Sequence, residues 1–187
     1  MEHSSAWLES TRKLFLYYKT LGERTITQLD DAALHWQYNE ESNSIAIIIK
    51  HLWGNMLSRW TDFLNSDGEK SWRKRDEEFE NDLPDRTTLM ARWEEGWACL
   101  FEALDGLTPE DLDHIVYIRN EGHTVMEAVN RQLAHYAYHV GQIVFIGKMI
   151  KNADWQTLSI ARNRSGAYNA TKFEQDPGRR HFTDKEI

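Results

Sequence analysis

The chain has 187 residues, 30 of them acidic and 22 basic, for a formal net charge of −8, with 41% apolar and 28% charged residues. That length and balance fit one folded domain over residues 1–187 and exclude a disordered or fibrous chain, while the acidic excess argues against a nucleic-acid binder that works by neutralising phosphates. No uninterrupted apolar run reaches membrane-spanning length, the first residues (Met1 to Ser5) lack the pattern of a secretory leader, and the single cysteine, Cys99, has no partner for a disulfide, so no membrane role and a cytoplasmic location are expected.

Only three prolines occur, which leaves room for long helices. Leu8, Leu14, Phe15, Tyr18 and Leu21 recur at helical spacing and predict a first helix from Ser5 to Leu21, with Gly22 as its stop. Ile26 to Leu34 could form a short helix, and Asn39 to Asn43 reads as a connector. Ser42, Asn43 and Ser44 offer N-caps to a second long helix of about five turns that begins with Ile45-Ala46-Ile47-Ile48-Ile49 and carries on to Leu64. The isoleucine run alone would suit a buried strand, but the 3.6-residue period lasts longer than strands do.

The charged stretch from Asn65 to Asp85 reads as a solvated crossover anchored by Trp72 and Phe79. Arg86 to Leu104 is the third long helix, with Leu89, Trp93, Trp97, Leu100 and Leu104 as its apolar stripe and Gly106 beyond it. Thr108-Pro109-Glu110-Asp111 starts a short helical turn, and Val116 to Ile118 a brief extended piece. Thr124-Val125-Met126-Glu127 is a capping box that opens the fourth long helix, which runs to about Ile150. Beyond Asn152 the chain reads as loop-like, an ordered covering segment followed by a frayed tail, over 153–187. The expected fold class is therefore all-α: a four-helix bundle with a core over 5–152, long crossover connections and non-sequential connectivity.

Eight histidines are present. His135 and His139 lie four apart, on one helical face and close enough to share a metal ion. A random chain with this histidine content holds about 0.3 such pairs, so spacing alone decides little. Their setting adds weight, because both sit mid-helix among Leu133, Ala134, Ala137 and Val140, and His51 sits likewise beside Ile47, Ile48 and Leu52. Two readings fit: core histidines satisfied by hydrogen bonds, or three nitrogen ligands that leave a coordination position open. No His-Glu-x-x-His and no Glu-x-x-His occurs, so a metal held here is mononuclear and not the di-iron type. His3, His35, His114, His123 and His181 fall at the terminus, in connectors or at helix ends, and read as surface or capping residues.

The stretch Ser44-Ile45-Ala46 through Lys50-His51-Leu52, taken with Gln132-Leu133-Ala134-His135-Tyr136-Ala137-Tyr138-His139-Val140-Gly141-Gln142-Ile143, resembles the DinB-like superfamily. It is most similar to an uncharacterised bacterial subgroup related to metal-dependent hydrolases and to the bacillithiol and mycothiol transferases. The resemblance covers about residues 5–152 and implies a four-helix bundle, a homodimer, and a divalent metal on His51, His135 and His139. It supplies no substrate.

Zn, Ni, Fe, Mn or Co could each accept three imidazoles. Gln142, three after His139, and Asn55, four after His51, are placed to back a ligand or to touch substrate, and Gly54 to permit close helix packing. No carboxylate shares the face of His135 and His139, so an internal base is not evident; the crossover or the Arg162 to Ser165 segment could lend polar groups. Cys99 reads as a small core residue, and Trp53, Trp60, Trp93, Trp97, Tyr136 and Tyr138 as core or pocket wall. Two functions remain: a metal-dependent enzyme that activates a low-molecular-weight thiol (a transferase) or water (a hydrolase), with a small-molecule substrate, or a non-catalytic, metal-binding dimer of structural or stress-related role.

Overall fold

Serine, aspartate and threonine side chains set the starts of four helices in the computed structural model, which describes residues 2–185. Six α-helices are found among the described residues: α1 (Glu2–Ile26), α2 (Asp31–Leu34), α3 (Ile45–Trp60), α4 (Arg86–Asp105), α5 (Val125–Lys151) and α6 (Ser165–Phe173). Asp30, Ser44 and Asp85 each accept a hydrogen bond from the backbone N–H three residues on, at 2.8, 3.1 and 2.7 Å. Thr124 and Glu127 close the expected capping box at the start of α5. The Ser44 cap is fully buried, and its loss would cost α3 about 1 kcal/mol.

The first helix does not stop at Gly22. It continues to Ile26, and Gly22 has no left-handed φ. A Cβ there would lie 2.6 Å from Cη2 of Trp93, so this glycine is a notch that admits the α4 tryptophan. Only Asp31–Leu34 of the expected short second helix forms. The second long helix ends at Trp60, short of Leu64, because Thr61 turns extended and Asp62 takes a positive φ of 49°. The run Ile45–Ile49 is helical, and each of its residues is no more than 2% exposed, which explains why it lacks an exposed polar face.

α1 packs against α5 and α4, and α3 packs against the same two helices, so the first two long helices lie across the core from each other. The centre is aromatic: Phe15 meets Trp60, Trp97 and Tyr136 at ring-centroid distances of 6.3, 6.4 and 5.9 Å. Ile45, Ile49, Leu52, Leu89, Leu100, Val129 and Ile143 fill the space around them.

A short hairpin precedes α5, with β1 (Ile115–Ile118) antiparallel to β2 (Glu121–Thr124) and Ile115 opposite Thr124. Its turn residues, Arg119 and Asn120, have φ of 57° and 61°, the pattern of a type I′ turn without the glycine that normally signals it. The Asp67 carboxylate accepts from both their backbone N–H groups, at 2.9 and 2.8 Å, and pins the hairpin to the turn after α3.

The C-terminal segment carries a helix within its loop-like stretch. α6 forms where a loop is expected, Thr183 is fully buried, His181 bonds Ser10 at 3.1 Å, and Asp184 pairs with Lys13 at 2.8 Å, so this segment docks on α1. The remainder of the expected frayed tail, 186–187, lies outside the described residues. Among the described residues no helix is long and apolar enough to cross a membrane.

Candidate metal centre

α3 carries His51 and α5 carries His135 and His139, and where the two helices face each other the three imidazoles converge. Nε2 of His135 stands 3.3 Å from Nε2 of His51 and 3.1 Å from Nε2 of His139. All three offer ligand atoms within 4.8 Å of one another, a spacing compatible with one shared metal ion. His51 and His139 are buried, and His135 is partly so.

The far nitrogens fix the tautomers. Nδ1 of His51 lies 2.9 Å from the Glu78 carboxylate, and Nδ1 of His139 lies 2.8 Å from Oε1 of Gln142. Each acceptor requires an N–H at Nδ1, which leaves the Nε2 lone pair of both rings pointing at the cluster. One proton on His135 Nε2 is shared at best between two lone pairs, whereas a divalent ion satisfies all three. Protonation does not relieve the crowding. Burial first, then the neighbouring His139, His51 and arginines, lower the pKa of His135 to about 3; burial and His51 lower that of His139 to about 4.

The charged crossover is not simply a solvated surface. Trp72, an expected anchor, is 55% exposed, whereas Phe79 stacks on His51 with centroids 5.1 Å apart. Glu78 is 5% exposed and receives Nε and Nη2 of Arg73 at 2.7 and 2.9 Å on its two oxygens, in addition to His51. Burial raises its pKa, but the hydrogen bonds from Arg73 and His51 outweigh that and hold it below the usual carboxylate range. Glu78 thus orients His51, and with both oxygens engaged by Arg73 and His51 it is not free to act as a base. Gly54 makes room for it: a Cβ at that position would fall on the Glu78 carboxylate, with Cδ at 2.8 Å. Gly54 therefore serves the carboxylate and not helix–helix packing.

Gln142 backs His139 as its spacing implied, whereas Asn55 bonds no histidine. Its Oδ1 accepts from the Tyr136 hydroxyl at 3.0 Å, although it also reaches the cavity wall. That cavity, about 490 Å³, opens over the three histidines and is lined also by Arg59, Arg73, Arg75, Arg119, Arg131, Gln132 and Tyr138. No carboxylate lines it among the described residues, and the Arg162 to Ser165 segment contributes nothing to it. Cys99 lies elsewhere, 3.7 Å from the Thr61 hydroxyl, with its thiol pKa pushed up by burial. Of the other histidines, His35 caps α2 and bonds Asn81, while His123 sits 3.3 Å from Arg131.

Reading the sequence missed Glu78, Arg73 and Gln132. A signal for Glu78 existed in Gly54, a mid-helix glycine three residues from His51 that marks a close approach, but nothing local told which of Asp76, Glu77 and Glu78 makes it. Gln132 lies three before His135 on the same face.

A family model described as "Protein of unknown function (DUF1572)" matches residues 2–164, a span that holds the three histidines and Glu78 and stops just before α6. No curated protein matches the chain.

Proposed function

The chain belongs to the DUF1572 family of proteins of unknown function, and from that premise and the geometry of the cavity we propose that it is a metal-dependent enzyme with a mononuclear site on His51, His135 and His139. The observation that carries the reading is the convergence of three Nε2 atoms beneath an accessible cavity, two of them with their lone pairs fixed by Glu78 and Gln142. Three protein ligands with a vacant position is the arrangement of catalytic rather than structural sites. A divalent ion (Zn, Ni, Fe, Mn or Co) held there supplies a Lewis acid that brings the ionisation of a thiol or of water toward neutral pH.

The chain's own residues orient the ligands and shape access. Arg73 holds Glu78, Glu78 holds His51, and Phe79 stacks on that ring, so His51 is fixed on two sides. With no free carboxylate in the lining, the site suits a nucleophile that needs little help to ionise. This favours a low-molecular-weight thiol, whose free pKa is about 8.5, over water, which ionises far less readily, and hence transfer over hydrolysis. The test is to load the protein with cobalt and titrate a small thiol while following the visible spectrum. A saturable shift supports the reading, and an inert spectrum removes the thiol arm.

The diagonal placement of α1 and α3, the long crossover between α3 and α4, and the split of one histidine on α3 and two on α5 support a DinB-like four-helix bundle forming one domain. The non-catalytic alternative keeps one specific support. Tyr138, Phe145 and Met149 on α5, with Trp36 and Tyr38 beside them, expose an apolar groove suited to a homodimer interface. A dimer in solution that binds metal yet leaves the cobalt spectrum inert to thiols would favour it. The single Cys99 agrees with a cytoplasmic setting.

A further inference from the structure

The charge of the cavity runs against the charge of the protein. A chain with net charge −8 lines this one cavity with five guanidinium groups and, among the described residues, no carboxylate. The carboxylates behind the wall do not balance them. Glu69 alone meets three of the five, with Oε2 at 3.3 Å from Arg59, 3.4 Å from Arg73 and 3.0 Å from Arg119, and Glu78 is already taken by Arg73 and His51. Among the described residues Arg131 has only His123, at 3.3 Å, and Arg75 has a 4.0 Å contact with a fully exposed Asp76 while its guanidinium lies 5.1 Å from the Phe79 ring centre. Five positive charges against three negative ones, one of them the fully exposed Asp76, leave a surplus of two before any divalent ion is counted.

A second observation is independent of charge. Of the four buried polar atoms without a hydrogen-bond partner among the described residues, two belong to this wall: Nε of Arg59, a donor, and Oε1 of Gln132, an acceptor. Both residues are more than nine-tenths buried. Orphaned groups of this kind are costly and call for an absent partner.

We propose that the substrate bears an anionic oxygen group, a carboxylate or a phosphate, which docks on Arg75, Arg119 and Arg131 at the mouth of the three-histidine cavity, with Gln132 accepting a hydrogen bond from a donor elsewhere on the same molecule. Planar guanidinium forks match both oxyanions, and a low-dielectric cleft focuses their field on a ligand small enough for about 490 Å³. The inference deepens the metal-enzyme reading, because it takes that site's cavity as the substrate pocket. It binds the substrate's inert end and leaves the reacting atom to the histidine end.

The test is calorimetric titration of malonate and, separately, inorganic phosphate into the metal-free and the cobalt-loaded full chain, each compared with Arg75→Ala/Arg131→Ala. Both arginines are exposed, so the variant is expected to keep its circular dichroism and its metal content. At low ionic strength we expect saturable binding of at least one anion to the metal-free protein, weakened at least about tenfold in the variant and again by added salt. Preference for malonate identifies a carboxylate substrate, and preference for phosphate a phosphorylated one. No binding in either form, equal binding by the variant, or binding that requires cobalt and ignores the arginines would overturn the inference. Binding that depends on the arginines in a protein that takes up no metal would uphold it while removing the metal reading.

Discussion

α3 and α5 hold two buried polar clusters side by side, and they differ in how their donors and acceptors balance. In the first, Trp60 Nε1 donates to the Tyr136 hydroxyl at 3.0 Å, and that hydroxyl donates to Oδ1 of Asn55 at 3.0 Å. Burial pushes the Tyr136 pKa up, so the proton stays on and the chain of bonds is complete. In the second, one residue away on α5 and one turn away on α3, His51, His135 and His139 bring three Nε2 atoms together with too few protons to pair them. Burial alone does not separate a structural cluster from a site, since Tyr136 is more deeply buried than any of the three histidines. The unmatched lone pairs do.

That contrast can be broken or sharpened by substitution. The largest effect is expected for His51→Ala, which should weaken metal binding by more than about 100-fold in a competition titration with a chelator. Unchanged affinity would remove His51 from the ligand set. Next comes Glu78→Gln, which keeps the shape but loses the charge that fixes the His51 tautomer; metal affinity should drop between about 10- and 100-fold, while equal affinity would make Glu78 a purely structural partner of Arg73.

A smaller effect is expected from pH on the metal-free protein. His135 and His139 titrate near 3 and 4 when folded, against 6.5 for a free histidine. The unfolded chain therefore takes up protons first, and folding stability is full above about pH 6.5 and falls as the pH drops toward those folded values. On these two groups together the loss from pH 7 to pH 5 is on the order of 4 kcal/mol, about 2 from each, by urea unfolding. His135→Ala/His139→Ala should flatten that slope, and an identical slope in the variant would show that the two imidazoles are not held neutral. Last, Tyr136→Phe should cost about 1 kcal/mol of stability and leave metal content unaltered; a loss of metal would mean that the two clusters act as one.

Much of this arrangement was legible in the residues themselves. The capping box at Thr124 and the cap at Ser44 located α5 and α3, and helical spacing placed His135, His139 and Gln142 on one face. Local patterns failed where long-range contacts decide. Gly22 reads as a stop because its reason, Trp93, is on another helix, and the hairpin turn at Arg119 is held by Asp67, far along the chain. The charged crossover failed for the same reason. A buried Glu78 and Arg73 look like any solvated pair until His51 and Gly54 stand beside them. The arginine-lined cavity was equally hidden, because its five members come from α3, the crossover, the hairpin and α5.

The central claim is that the three histidines hold one ion, and the direct measurement is elemental analysis of gently purified protein beside His135→Ala/His139→Ala. The account predicts one divalent ion per chain, lost in the variant, with the metal raising the thermal midpoint of the wild type only. No ion in either protein, even after metal is offered, together with equal thermal stability would contradict it and leave the histidines as core residues.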